Sequence, residues 1–125
     1  MKKIVLVKCK MISEQNLCPG DAKCFVAFNR RDGEFARYEG EPAEIVGIVD
    51  CAGCSGNKNR VICNLAILKL QLKALGEKVD VIHIGTCIMS FCPRKDDLIA
   101  AIKAKAGVEV IEGTHYYAPS SIFGE

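Results

Sequence analysis

Ile45-Val46-Gly47-Ile48-Val49-Asp50-Cys51-Ala52-Gly53-Cys54 decides the fold of this chain. The run from Ile45 to Val49 is β-branched and almost wholly apolar. It is too short for a helix and too hydrophobic for a strand with one wet face. It therefore reads as a strand covered on both sides, as in a parallel sheet. The run stops at a Cys-x-x-Cys turn, and a helical pattern begins near Asn57. Strand, turn and helix in that order form the unit from which open α/β sheets are built.

The same order recurs outward from this stretch. Ile4 to Val7 leads to Cys9, Val81 to Ile84 leads to Cys87, and Val108 to Ile111 leads to His115. Strands are expected near 3–8, 44–50, 79–85 and 108–112. The clearest helix is expected from about Asn57 to Leu75, with Val61, Leu65, Leu68, Leu72 and Leu75 as its apolar stripe and Gly76 as its stop. A second should follow Pro93, with Asp96 and Asp97 in its first turn, Leu98, Ile99, Ile102 and Ala106 inward, and Gly107 at its end. A shorter helix is expected from near Asp21, carrying Cys24, Phe25 and Phe28.

Right-handed crossovers then give a small open sheet of about four parallel strands, ordered 2-1-3-4 and flanked by helices. This is an α/β, flavodoxin- or Rossmann-like three-layer fold, expected to occupy 1–125 as a single domain. Segment 30–42 mixes both charge signs and ends in Gly40-Glu41-Pro42. It is expected to be a solvated excursion stapled to the body by Phe35 and Tyr38.

Charge excludes some functions. With 17 Lys and Arg against 15 Asp and Glu, the chain has no field that would attract nucleic acid or an anionic membrane. The apolar run after Lys3 is shorter than the roughly 7–15 residues of a signal-peptide core. No run reaches the roughly 20 residues that span a bilayer. A cytoplasmic location is expected, where the 8 cysteines stay reduced and serve metal or redox chemistry rather than disulfides.

In a parallel sheet the residues after every strand gather at the C-terminal edge, where such sheets bind their ligands. Cys51 and Cys54 form the sharpest signal. The helix after them offers its N-terminus, which favours thiolate, the form that binds metal and also attacks disulfides. Cys87 and Cys92 bracket a second strand-to-helix connection, and Cys18 and Cys24 flank Pro19-Gly20 in a third. With Cys9 and His115, these make a donor set sufficient for two four-coordinate sites. Cys63, inside the long helix, is expected to be a small core residue. His83, inside a strand, is expected to be a hydrogen-bonded core or supporting residue. No phosphate-cradling glycine loop and no hydrolase elbow is present.

At this level the chain resembles the CGGC-domain proteins. The resemblance rests on Ser13-Glu14 ahead of the Cys18-Pro19-Gly20 loop, Phe35-Ala36-Arg37-Tyr38 and the central Cys51-Ala52-Gly53-Cys54. Cys87-Ile88-Met89 with Cys92-Pro93, and Glu112-Gly113-Thr114-His115, complete it. It implies a metal-binding domain, zinc above all, with Cys18, Cys51, Cys54, Cys87, Cys92 and His115 as ligands and Cys9 and Cys24 beside them. Ala52 stands where the name-giving motif has glycine, a change that is tolerated unless that backbone needs a positive φ. Three readings follow: a cytoplasmic zinc-binding protein, with Cys51, Cys54, Cys87 and Cys92 leading; an iron–sulfur protein on the same thiols; and a dithiol oxidoreductase using Cys51 and Cys54.

Overall fold

In the computed structural model, residues 1–14, 18, 22–54 and 58–115 are described. The expected starts at Asp21 and Asn57 lie outside them. Strands β1 (Lys2–Lys8), β2 (Ala43–Asp50), β3 (Val81–Ile84) and β4 (Glu109–Glu112) form one parallel sheet in the order β2-β1-β3-β4. Alternation along β1 explains why both faces are buried. Val5 and Val7 point to one core with Ile82 and Ile84, while Ile4 and Leu6 point to the other with Val81 and Ile111. The central strands β1 and β3 are buried on both faces, which is why they read as continuous apolar runs, while the edge strands β2 and β4 are partly exposed.

Among the described residues, five helices and a 3-10 helix cover the sheet: α1 (Lys10–Glu14), α2 (Ala22–Arg30), the 3-10 helix Gly33–Tyr38, α3 (Asn59–Ala74), α4 (Thr86–Phe91) and α5 (Lys95–Ala106). The first core packs beneath α3 and α5, and the second beneath α2 and the 3-10 helix. β2 carries a bulge at Val46: Ile4 pairs with Ile45, but Val5 pairs with Gly47. The extra residue lets Ile45 and Ile48, three apart, join the same core. A side chain at Gly47 would meet the Leu68 methyl at 2.8 Å, so Leu68 on α3 packs directly over this glycine and would have to shift for a larger residue.

α3 ends in a Schellman motif, with Gly76 N–H donating to Lys73 O and Glu77 N–H to Leu72 O. Two expectations fail here. Leu75 occupies the cap where the chain turns away, and it is 77% exposed. Cys63 is exposed rather than packed. It lies on the opposite side of α3 from Val61 and Leu72, which are the buried positions, and its neighbour Ile67 is also exposed.

Segment 30–42 is more than a solvated excursion. Phe35 and Tyr38 are buried in the second core, and Arg31 anchors the segment by donating to the carbonyls of Phe28, Tyr38 and Glu41. His83, fully buried, donates from Nδ1 to Gly113 O at 2.9 Å and accepts at Nε2 from the Tyr38 hydroxyl at 2.8 Å. Burial holds its pKa below the usual value, the neutral tautomer that this bonding requires. Among the described residues no helix is long and apolar enough to cross a membrane.

Candidate metal centre

The C-terminal edge is stitched together by the backbone just where the cysteines begin. Cys51 N–H donates to Lys8 O at 3.0 Å and Gly85 N–H to Val7 O at 2.7 Å, extending the ladder one residue past the strands. Cys9 N–H donates to Cys87 Sγ at 3.1 Å, which joins the ends of β1 and β3 through a thiol. Gly85 makes that approach possible, because a Cβ there would sit 2.9 Å from Val7 O and 3.1 Å from Cys87 Sγ. The segment after β3 is not a plain loop: Thr86–Phe91 is helix α4, with Cys87 in its first turn and Cys92 at its C-cap.

Cys9 and Cys51 belong to the first core, and Cys18, Cys87 and Cys92 pack against it. Cys51, exposed Cys54 and Cys92 also line one solvent-open cleft of about 120 Å³, together with Lys58, Arg94 and Asp97. Lys58 and Arg94 have no carboxylate in ion-pair contact among the described residues. Two residues of the expected set lie elsewhere. Cys24 is buried in the core on the other face, its thiol donating to the Thr114 hydroxyl at 3.6 Å. His115 follows β4, where its carbonyl accepts from the Thr86 hydroxyl, and it does not line the cleft. Thr86 and Thr114 also bond each other reciprocally, backbone N–H to hydroxyl at 3.1 Å each way, fixing α4 to the end of β4.

Burial dominates the electrostatics. It pushes the Cys87 thiol up to about 11, partly offset by the Cys9 N–H and reinforced by the adjacent Cys9 thiol and, to a smaller extent and from the other core, by the Cys24 thiol. Burial likewise raises Cys9, against the backbone N–H groups of Ile12 and Met11 that lower it. Both thiols are therefore protonated at neutral pH, and a cation binding there must displace protons.

The central turn corrects one expectation. Ala52 has φ +64°, followed by Gly53 at +97°, and its N–H is held by Asp50 Oδ1 at 2.7 Å. The name-giving motif's glycine thus falls on a left-handed position, and alanine here is strained. α3 begins at Asn59, five residues after Cys54, and its N-cap residue Lys58 lines the same cleft as Cys51 and Cys54.

The donors are of the kind a thiophilic ion takes, and one edge brings Cys9, Cys18, Cys51, Cys54, Cys87 and Cys92 together. Among the described residues, no three Cys, His, Asp or Glu side chains converge into a group that could hold an ion. The set fits a metal in chemistry and neighbourhood, and closing around one requires side-chain rearrangement. Sequence reasoning missed Asp50, Gly85 and the cations of the cleft. Asp directly before a Cys-Ala-Gly turn was a readable signal for the first, whereas nothing local marks the others.

A family model described as CGGC domain matches residues 3–115. No curated protein and no solved structure matches the chain.

Proposed function

The chain belongs to the CGGC-domain family, and we propose that it binds zinc through thiolates at the C-terminal edge of its sheet. Cys51, Cys54, Cys87 and Cys92 are the leading ligands, with Cys9 and Cys18 beside them. The observation that carries this is the gathering of five cysteines on one apolar cluster at that edge, three strand ends contributing. Thiolates favour zinc, and with Cys ligands alone such a site is closed and tetrahedral. A zinc ion held by several thiolates carries net negative charge, which Lys58 and Arg94 at the cleft are placed to offset. The location we propose is the cytoplasm, where the thiols stay reduced.

Within this chain the thiols bind, α4 and the Cys51–Cys54 turn orient them, and the apolar cluster beneath excludes water. Bound zinc would supply charge and a fixed link between the loops. A second reading has its own observation: Cys51 is buried and Cys54 exposed within one turn, an arrangement that suits a dithiol whose outer thiol is accessible. The test is anaerobic purification in reductant, followed by elemental analysis and an absorption spectrum. Stoichiometric zinc in a colourless protein is expected. A brown preparation with sulfide-to-iron charge-transfer bands would replace zinc by an iron–sulfur cluster. Metal-free protein that cycles a Cys51–Cys54 disulfide would replace it by dithiol chemistry.

A further inference from the structure

Between α3 and α5 runs a groove of about 600 Å³ that shares no lining residue with the thiol cleft. Its walls are apolar: Ile62, Leu65, Leu68 and Leu72 from α3 stand opposite Val79 and Val108. Its charge lies at one end. Lys73 and Lys105 line the groove where α3 and α5 terminate, with Lys69 one turn earlier, and Glu77 is the one carboxylate on its lining. Glu77 is held by Lys3 at 3.2 Å, and Lys78 is held by Asp80 at 3.4 Å. Lys69, Lys73 and Lys105 have no carboxylate in ion-pair contact among the described residues.

Helix-end lysines commonly serve terminal carbonyls. Here the carbonyls of Leu72 and Lys73 are already taken by the backbone of Glu77 and Gly76, so Lys73 is not needed for them. An apolar groove of this size with a few polar groups at one place is the usual form of a small-molecule site. From Ile62 to Lys73 the wall runs about 16 Å at ~1.5 Å per residue, close to an extended dodecyl chain. Apolar walls with the cationic groups gathered at one end match an amphiphile with a single anionic head.

We propose that this groove binds a single long-chain carboxylate, its chain along α3 toward Ile62 and its carboxylate among Lys69, Lys73 and Lys105. The probe is dodecanoate below its micelle concentration, titrated into the full chain by calorimetry with amide-shift mapping. Expected are saturable one-to-one binding, shifts confined to α3, α5 and 77–79, and octanoate about two hundredfold weaker for its four fewer buried methylenes. Lys73→Glu with Lys105→Glu should weaken dodecanoate about tenfold and leave dodecanol unaffected. Ala66→Phe, at an exposed position lining the groove, should block both while thermal unfolding shows the fold intact.

Four results overturn the proposal. They are absence of saturable binding; dodecanol binding as tightly as dodecanoate with no response to charge reversal; binding only to phosphatidylglycerol vesicles, which makes the face a membrane contact; and a dimer by ultracentrifugation that Ala66→Phe dissociates, which makes a second copy the occupant. None of these variants touches a thiol, so the outcome is independent of the metal reading.

Discussion

Replacing Ala52 by glycine should stabilise the reduced, metal-free protein, although it deletes a methyl group and adds chain entropy. Ala52 sits at φ +64°, where an L-residue with a Cβ costs about 1–2 kcal/mol. Glycine removes that cost but loses about 0.4–1 kcal/mol more than alanine in ordering its backbone. The net gain is about 0.5–1 kcal/mol. For 125 residues at ~2.1 cal/mol/K each, the unfolding entropy is about 260 cal/mol/K, so Tm should rise about 2–4 °C. The Asp50 carboxylate that holds the Ala52 N–H stays in place, so the turn keeps its shape. The assay is thermal unfolding by circular dichroism in reductant and chelator, with Gly53→Ala as its mirror. At φ +97° that variant should lose about 1–2 kcal/mol. If Ala52→Gly instead lowers stability by the entropic amount alone, residue 52 is not left-handed and the account of the turn fails.

Three further outcomes follow from the same geometry. Cys54→Ser should lower zinc content, whereas Cys63→Ala, on the outer side of α3, should leave it unchanged; equal loss in both variants, measured by elemental analysis, would dismantle the ligand set. Urea unfolding of chelated protein should show stability falling on both sides of neutrality. Below pH ~6.5 the unfolded chain gains a proton that buried His83 refuses, a slope of up to ~1.4 kcal/mol per pH unit. Above the ordinary thiol pKa of 9.0 the unfolded chain ionises Cys87 while the native state holds its proton up to about 11; a profile flat from pH 5 to 10 would contradict both. Gly85→Ala should cost about 1–3 kcal/mol by overpacking against Val7 O and should weaken zinc binding by shifting Cys87; unchanged stability would mean that β1 and α4 are not held this close.

The sheet was legible because its information is local and repeated. Four apolar runs, each ended by Cys or His, need only the two-sided burial rule and the right-handed crossover to give the order β2-β1-β3-β4. Helix ends were legible where a glycine stops the chain, as at Gly76 and Gly107. Helix faces were less so. α3 has apolar residues all round, with Ile67 and Leu70 exposed as well as Val61 and Leu72 buried. Periodicity alone could not tell which side of Cys63 met the sheet. The bulge at Val46 and the short helix α4 were invisible for a related reason: each shows only against a segment distant in sequence, Ile4 and Val5 on β1 for one and Thr114 for the other.

The candidate site divides along the same line. Topology alone predicts that residues after parallel strands share an edge, and Cys9, Cys51 and Cys87 do so through the bonds of Cys51 to Lys8 and of Cys9 to Cys87. Topology does not say which face of the sheet a loop residue joins, and that separates Cys24 from the rest. α2 approaches the face lined by Ile4 and Leu6, so its inward thiol enters the core of Phe28 and Phe35 and meets Thr114. His115 is taken out of the cleft by the strand order. β4 is the edge strand beside β3, on the far side of the sheet from β2 and its Cys51–Cys54 turn. A site built on the β2, β1 and β3 ends therefore draws its ligands from neighbouring strands. The end of β4 contributes through the Thr86–Thr114 bonds that position α4, and with it Cys87.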